Sequence, residues 1–176
     1  MYDMSSDDRE PFFVKQQDGD TATELVDLLN RYERSLCNYL TVILGDHDAS
    51  IECTQDTFVR AYENWKRGKP VTVAWLYKVA RNRALDEVRH RQRSHAAPDV
   101  LDRIPSEHHT VSSETLAVRQ VMDALVPSER EVLYLFVFDR FKTAEIAQML
   151  GIGAGATRMR LLRARQHFRD LWEELS

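Results

Sequence analysis

The sequence predicts an all-α protein built as two small helical domains joined by a flexible linker. Three observations carry this expectation. Apolar residues recur at spacings of three and four along most of the chain, which is the helical period. That period lapses over residues 94–113, SHAAPDVLDRIPSEHHTVSS, where two prolines and many small polar residues read as a linker. With 176 residues and 43% hydrophobic content, the chain can form one ordinary domain or two small ones, each with a core. The boundaries fall at 1–20 for an acidic flexible tail, 21–94 for the first domain, 95–115 for the linker and 116–176 for the second domain.

In the first domain, Thr21 and Glu24 form an S/T-x-x-E capping box that opens a helix. Leu25, Leu28, Leu29, Tyr32, Leu36, Tyr39, Leu40 and Ile43 follow at helical spacing up to a stop near Gly45. A second helix is expected from about Asp48 to Trp65, ended by RGKP at residues 67–70, and a third begins near Thr72. In the second domain, Leu116 to Leu125 makes a short helix, and Ser128 with Glu131 supplies a further capping box after Pro127. The run VLYLFVF suits a buried strand by periodicity alone, but its capped start and helical surroundings favour helix. Then comes TAEIAQMLGIGAGATRMRLLRAR: about eight helical residues, a Gly151-Ile152-Gly153 turn and a second helix. That order, with glycine in the turn, matches a helix-turn-helix, although helical hairpins that bind nothing share the pattern.

Charge is distributed in blocks. The formal net charge is −4, yet Asp3, Asp7, Asp8, Glu10, Asp18, Asp20, Glu24 and Asp27 crowd the amino end against only Arg9 and Lys15. The net value therefore conceals two basic islands, WLYKVARNRALDEVRHRQR at 75–93 and TRMRLLRARQHFR at 157–169. Basic residues on helical periodicity suit a polyanion; a solvated helix face is the plainer reading of either island alone. The longest apolar runs, Leu40 to Leu44 and Val132 to Phe138, fall far short of the roughly 20 residues of a membrane-spanning helix. The amino terminus lacks a signal pattern, so no membrane insertion and a cytoplasmic location are expected. Cys37 and Cys53 read as reduced, buried thiols, and no histidine stands at zinc-ligand spacing from either, so no metal and no cofactor are expected.

Projected at 100° per residue, the helix after the Gly151 turn places Thr157, Leu161, Ala164, Phe168 and Leu171 on one side, and Ala156, Met159, Arg160, Arg163 and His167 on the other. The first turns of such a helix meet base edges in the major groove, so Arg158, Met159 and Arg160 are the readout candidates, with Arg163 nearer phosphates. On the earlier basic helix, Leu76, Ala80, Ala84 and Val88 share one side, while Lys78, Asn82, Leu85, Arg89 and Arg93 run along another with Trp75. A tryptophan beside cations can stack on an unpaired base; the competing reading is that it packs on a neighbouring helix. Stacking contributes roughly 1–3 kcal/mol per base, whereas opening five base-pair steps costs about 7 kcal/mol at ~1.4 each. A chain that opens DNA with one such helix must act docked on something larger.

These residues carry a resemblance. WLYKVARNRALDEVRHRQR is similar to the segment that recognises and melts the promoter −10 element in the extracytoplasmic-function (group 4) sigma factors of bacterial RNA polymerase, within the sigma-70 family. QDTFVRAYENW resembles that family's polymerase-binding helix, and LVPSEREVLYLFVFDRFKTAEIAQMLGIGAGATRMRLLRAR its −35-binding domain. The resemblance spans about residues 22–95 and 116–172 in the family's order, and implies a sigma2-like bundle followed by a sigma4-like helix-turn-helix domain. It implies that Glu52, Gln55, Asp56, Phe58 and Arg60 lie on or beside the helix that docks on the clamp coiled coil of the polymerase largest subunit. It places Trp75, Lys78, Arg81, Asn82 and Arg89, with the loop from Gly68 to Val73, at the −10 element, and Arg158, Met159, Arg160 and Arg163 at the −35 element. The implied partners are core polymerase, through that clamp and the second-subunit flap, promoter DNA, and an anti-sigma factor. No residue is expected to be catalytic. Lys142 and Thr143 stand where the family usually has a Ser or Thr cap, which predicts a shifted or lost cap at a cost of about 1 kcal/mol.

Two other classes remain open on the sequence. A helix-turn-helix repressor or activator that never touches core polymerase leaves the first domain without a task, and a helical scaffold predicts no nucleic-acid affinity. No GxxxxGK[ST], HExxH or GxSxG stretch suggests an enzyme, and His108 and His109 lie in the linker without evident partners.

Overall fold

The computed structural model describes residues 13–14, 21–94 and 113–175. Seven helices account for nearly all of them: α1 (Thr21–Leu44), α2 (His47–Lys66) and α3 (Val73–Ser94) in the first domain, then α4 (Ser113–Ala124), α5 (Pro127–Val137), α6 (Thr143–Leu150) and α7 (Ala154–Leu175) in the second. A two-residue strand β1 (Phe13–Val14) pairs antiparallel with β2 (Val71–Thr72), with Val14 opposite Val71. This pairing was not expected, because β1 falls inside the stretch read as a tail. The rest of that stretch and linker residues 95–112 lie outside the described residues, and α4 begins three residues before the expected boundary at 116.

The helical periodicity translates directly into burial. Leu25, Leu28, Leu36, Tyr39 and Leu40 are buried along α1, with Leu29, Tyr32 and Ile43 half-buried beside them. The side chain of Asp46 caps α2 by accepting from Ala49 N at 3.1 Å, a bond that holds its carboxyl below the usual carboxylate range. Gly68, at φ +69°, ends the α2 corner, and Thr72 Oγ1 accepts from Trp75 N at 3.1 Å to cap α3. Cys53 is buried as expected, whereas Cys37 is only half-buried; burial pushes both thiols up.

VLYLFVF is helical, as favoured. The capping box expected from Ser128 and Glu131 is not formed. The N-cap of α5 is Val126, with no side-chain bond, and Pro127 follows at the first helical position. The Glu131 carboxylate is directed instead into the first domain. The cap of α6 is half lost, in line with the shifted-or-lost expectation. Lysine has no acceptor to offer at position 142, but Glu145 reaches back to accept from Lys142 N at 2.7 Å.

The two domains pack on each other. One buried cluster takes Leu36, Tyr39, Leu40, Tyr77, Ala80 and Ala84 from α1 and α3 together with Val132, Leu135, Phe141, Ile146, Met149, Leu161 and Ala164 from the second domain. The small side chains of Ala80 and Ala84 permit close approach of α3 to its neighbours. A smaller cluster of Leu25, Leu28, Ala61, Val71 and Leu76 lies wholly within the first domain.

Candidate nucleic-acid interface

The helix-turn-helix is built as its residues require. Helix α6 ends at Gly151, whose φ of +66° is the left-handed conformation that glycine adopts without penalty. Ile152 N then returns to Ala147 O at 3.1 Å, closing a Schellman-type turn with Ile152 packed on the core. On α7, Thr157, Leu161 and Ala164 are buried, and Phe168 and Leu171 half-buried, which is the apolar side expected. Two contacts fix α7 on α5: His167 Nδ1 lies 2.6 Å from Glu129 Oε2, and the Arg165 guanidinium stands 4.5 Å above the Phe136 ring. The opposite side presents Arg158, Met159 and Arg163 to solvent, with Arg160 half-buried among them. This is a convex basic face on a rigid helix, able to enter a groove and contact base edges and phosphates.

The earlier basic island divides into three parts. Arg83 and Arg91 brace α3 against α2 and its cap: Arg83 pairs with Asp56 at 3.1 Å, and Arg91 with Asp46 at 3.2 Å and Glu87 at 3.1 Å. Lys78, Asn82 and Arg89 are exposed, Arg89 lying 2.8 Å from Asp86 on its own helix. Arg81 belongs to neither group. Its Nε and Nη2 donate to Glu131 Oε1 and Oε2 at 2.7 and 3.1 Å, and the two side chains are 21% and 8% exposed. Trp75 is half-buried and packs on the smaller cluster, in line with the packing reading, and part of the ring stays open to solvent. The Gly68–Val73 loop is tied down by β1, which sequence reading missed; the apolar FFV at 12–14 is its one signal.

On α2, Glu52, Gln55, Asp56 and Arg60 are exposed, while Phe58 is half-buried and packs inward on the main cluster. Sequence reading missed Val59 and Tyr62. At 59% and 50% exposed they continue the stripe of Gln55 and Asp56 at helical spacing and add apolar surface to a charged face.

A further polar contact joins the domains. Tyr77 hydroxyl donates to Asp139 Oδ2 at 3.1 Å. Burial pushes the Asp139 carboxyl up to about 7, against the opposing pull of that hydrogen bond. A carboxyl raised in the folded form binds its proton more tightly there than when unfolded. Its stabilising contribution is therefore complete below the unfolded value of about 3.9 and is lost as pH rises through about 7. The urea midpoint is expected to fall between pH 5.5 and pH 8, and Asp139→Asn to flatten that slope; an unchanged slope in the variant assigns the pH dependence to other groups.

Two family models match the chain, Sigma-70 region 2 over residues 28–94 and Sigma-70, region 4 over residues 115–168, together more than half its length. The ECF RNA polymerase sigma factor SigE of Mycolicibacterium smegmatis is 33% identical over 136 residues, 72% of this chain and 52% of that protein. The probable RNA polymerase sigma factor RfaY of Xanthomonas campestris pv. campestris is 31% identical over 140 residues, 73% of this chain and 35% of that protein. The chain thus spans about half the length of the first relative and about a third of the second. Among solved structures, the sigma factor RpoE of Bartonella quintana, crystallised with the anti-sigma factor NepR, has the same fold: TM-score 0.66 at 21% identity, covering 88% of this chain and 97% of that one. No described helix is long and apolar enough to cross a membrane.

Proposed function

Because the chain belongs to the extracytoplasmic-function group of the sigma-70 family, we propose that it is a bacterial transcription initiation factor that binds core RNA polymerase and directs it to promoters through −10 and −35 elements. The observation that carries this reading is the presence, in one chain, of two different helices that each expose basic residues. One is α7, solvent-facing behind a helix-turn-helix; the other is α3, whose capped start sets a half-buried Trp75 beside exposed Lys78 and Asn82. A duplex-binding repressor needs the first and has no use for the second.

In this reading residues 21–94 bind polymerase and the −10 element, 116–176 bind the −35 element, and 95–115 connect them. Glu52, Gln55, Asp56 and Arg60 dock on the largest-subunit clamp, with Val59 and Tyr62 supplying apolar contact, while Phe58 shapes that helix from beneath. Trp75, Lys78, Asn82 and Arg89 meet the −10 strand, joined by Arg81 once it is free of its pair with Glu131; Arg158, Met159, Arg160 and Arg163 meet the −35 duplex. The polymerase performs the chemistry, in the cytoplasm, and an anti-sigma protein is a further partner of the proposal.

Run-off transcription with bacterial core polymerase on a pool of randomised promoters tests it. Specific transcripts that depend on the added protein are expected; their absence, together with tight duplex binding by the protein alone, overturns it in favour of a repressor or activator. Asp56→Arg, which reverses a charge on α2 and also breaks its pair with Arg83, is expected to weaken core binding at least about tenfold in a competition pull-down, in line with like-charge effects of several kcal/mol at interfaces; a loss that only follows a lowered thermal midpoint assigns it to the broken pair.

A further inference from the structure

We propose that Glu131 is an intramolecular stand-in for a DNA phosphate: it occupies the fork of Arg81 and so holds the chain in a closed form in which the α3 DNA face is partly masked. The proposal rests on the reading of Arg81 as a −10 contact. The geometry is that of anion recognition. Guanidinium nitrogens Nε and Nη2 donate in parallel to the two carboxylate oxygens at 2.7 and 3.1 Å, the arrangement a phosphate takes on the same fork. Tyr39 hydroxyl donates to Glu131 Oε1 at 2.6 Å, so the carboxylate is held from both first-domain helices that face it. Glu131 is buried, and nothing within α5 needs it, since the capping role its position suggested is not taken.

The same closure buries aromatic surface. Tyr77 packs on Phe141 at 4.9 Å between ring centroids, and Tyr39 lies 6.4 Å from Tyr134, each pair crossing the domain boundary. Because the domains share one chain, Glu131 is always at hand, whereas a DNA phosphate must arrive from solution. Free DNA competes poorly; a partner that grips both domains separately removes the competitor and exposes Arg81 together. Linkage makes this reciprocal: whatever binds the open form better must open the chain.

Two measurements on the full chain test the proposal. The first compares wild type with Glu131→Gln, which keeps the shape and an acceptor for Tyr39 but removes the charge. Small-angle scattering is expected to show a larger radius for the variant, and anisotropy with a fluorescent single-stranded −10-type oligonucleotide a gain in affinity of about tenfold or more without polymerase. Opening without a gain in affinity overturns the masking, and an unchanged radius overturns the latch. The second needs no variant: fluorophores on the two domains of wild type, at exposed positions outside both DNA faces, are expected to separate as the oligonucleotide binds. Binding at constant separation overturns the proposal even if Glu131→Gln fails to fold. Neither readout involves polymerase, so the run-off assay judges the initiation reading on its own.

Discussion

Trp75→Ala is expected to lower the yield of open promoter complexes about 5- to 150-fold while leaving affinity for core polymerase unchanged. The range converts the roughly 1–3 kcal/mol of stacking on an unpaired base at 1.4 kcal/mol per factor of ten. The half-burial of Trp75 complicates the variant, because the indole also packs on the cluster of Leu25, Leu28, Ala61, Val71 and Leu76. Trp75→Phe separates the two roles: phenylalanine fills most of the space and keeps an aromatic face, and so retains both packing and a stacking platform. Permanganate footprinting reports the melted bases and a thermal melt reports the fold. Loss of open complexes in the alanine variant at an unshifted thermal midpoint assigns the ring to DNA; loss that only follows the thermal midpoint assigns it to the core.

What the sequence made legible was local. The stripe of α1, the eight-residue first helix of the helix-turn-helix and the buried side of α7 all follow from spacings of three and four, because helix packing enforces that period on whatever faces the core. The same period puts Phe58 with Thr54, Thr57 and Ala61 on the inner side of α2, so its inward packing was legible too. What escaped was set by partners distant in the chain. Ser128 and Glu131 have the spacing of a capping box, but Arg81 and Tyr39, 50 and 92 residues away, offer the carboxylate charge-assisted and buried bonds that an exposed backbone amide does not match. Arg81 stood in a row of cations whose spacing gives no sign that one of them pairs across domains. The β1–β2 pairing is two residues long, too short for alternation to show.

Tyr77 is where the closed arrangement meets the stability of the chain. Fully buried on α3, its ring lies 5.2 Å from Tyr39, 4.9 Å from Phe141 and 6.5 Å from Tyr32, and its hydroxyl donates to Asp139. Truncating a buried aromatic to alanine costs roughly 3–5 kcal/mol, a large share of the ~5–15 kcal/mol that holds a typical domain. Tyr77→Ala is therefore expected to lower the unfolding free energy in urea by about that amount, and Tyr77→Phe, which loses only the hydroxyl, by roughly 0.5–1.5 kcal/mol. The distribution of the loss matters as much as its size. Trp65 and Trp75 report on the first domain and Trp172 on the second, so replacing one set with phenylalanine lets each domain be followed separately. A single shared transition that shifts as a whole in Tyr77→Ala is the expected result, because Tyr77 belongs to a cluster drawn from both domains. If Trp172 instead reports an unshifted transition, the ring stabilises the first domain alone and the packing of α3 on α6 adds little to the fold.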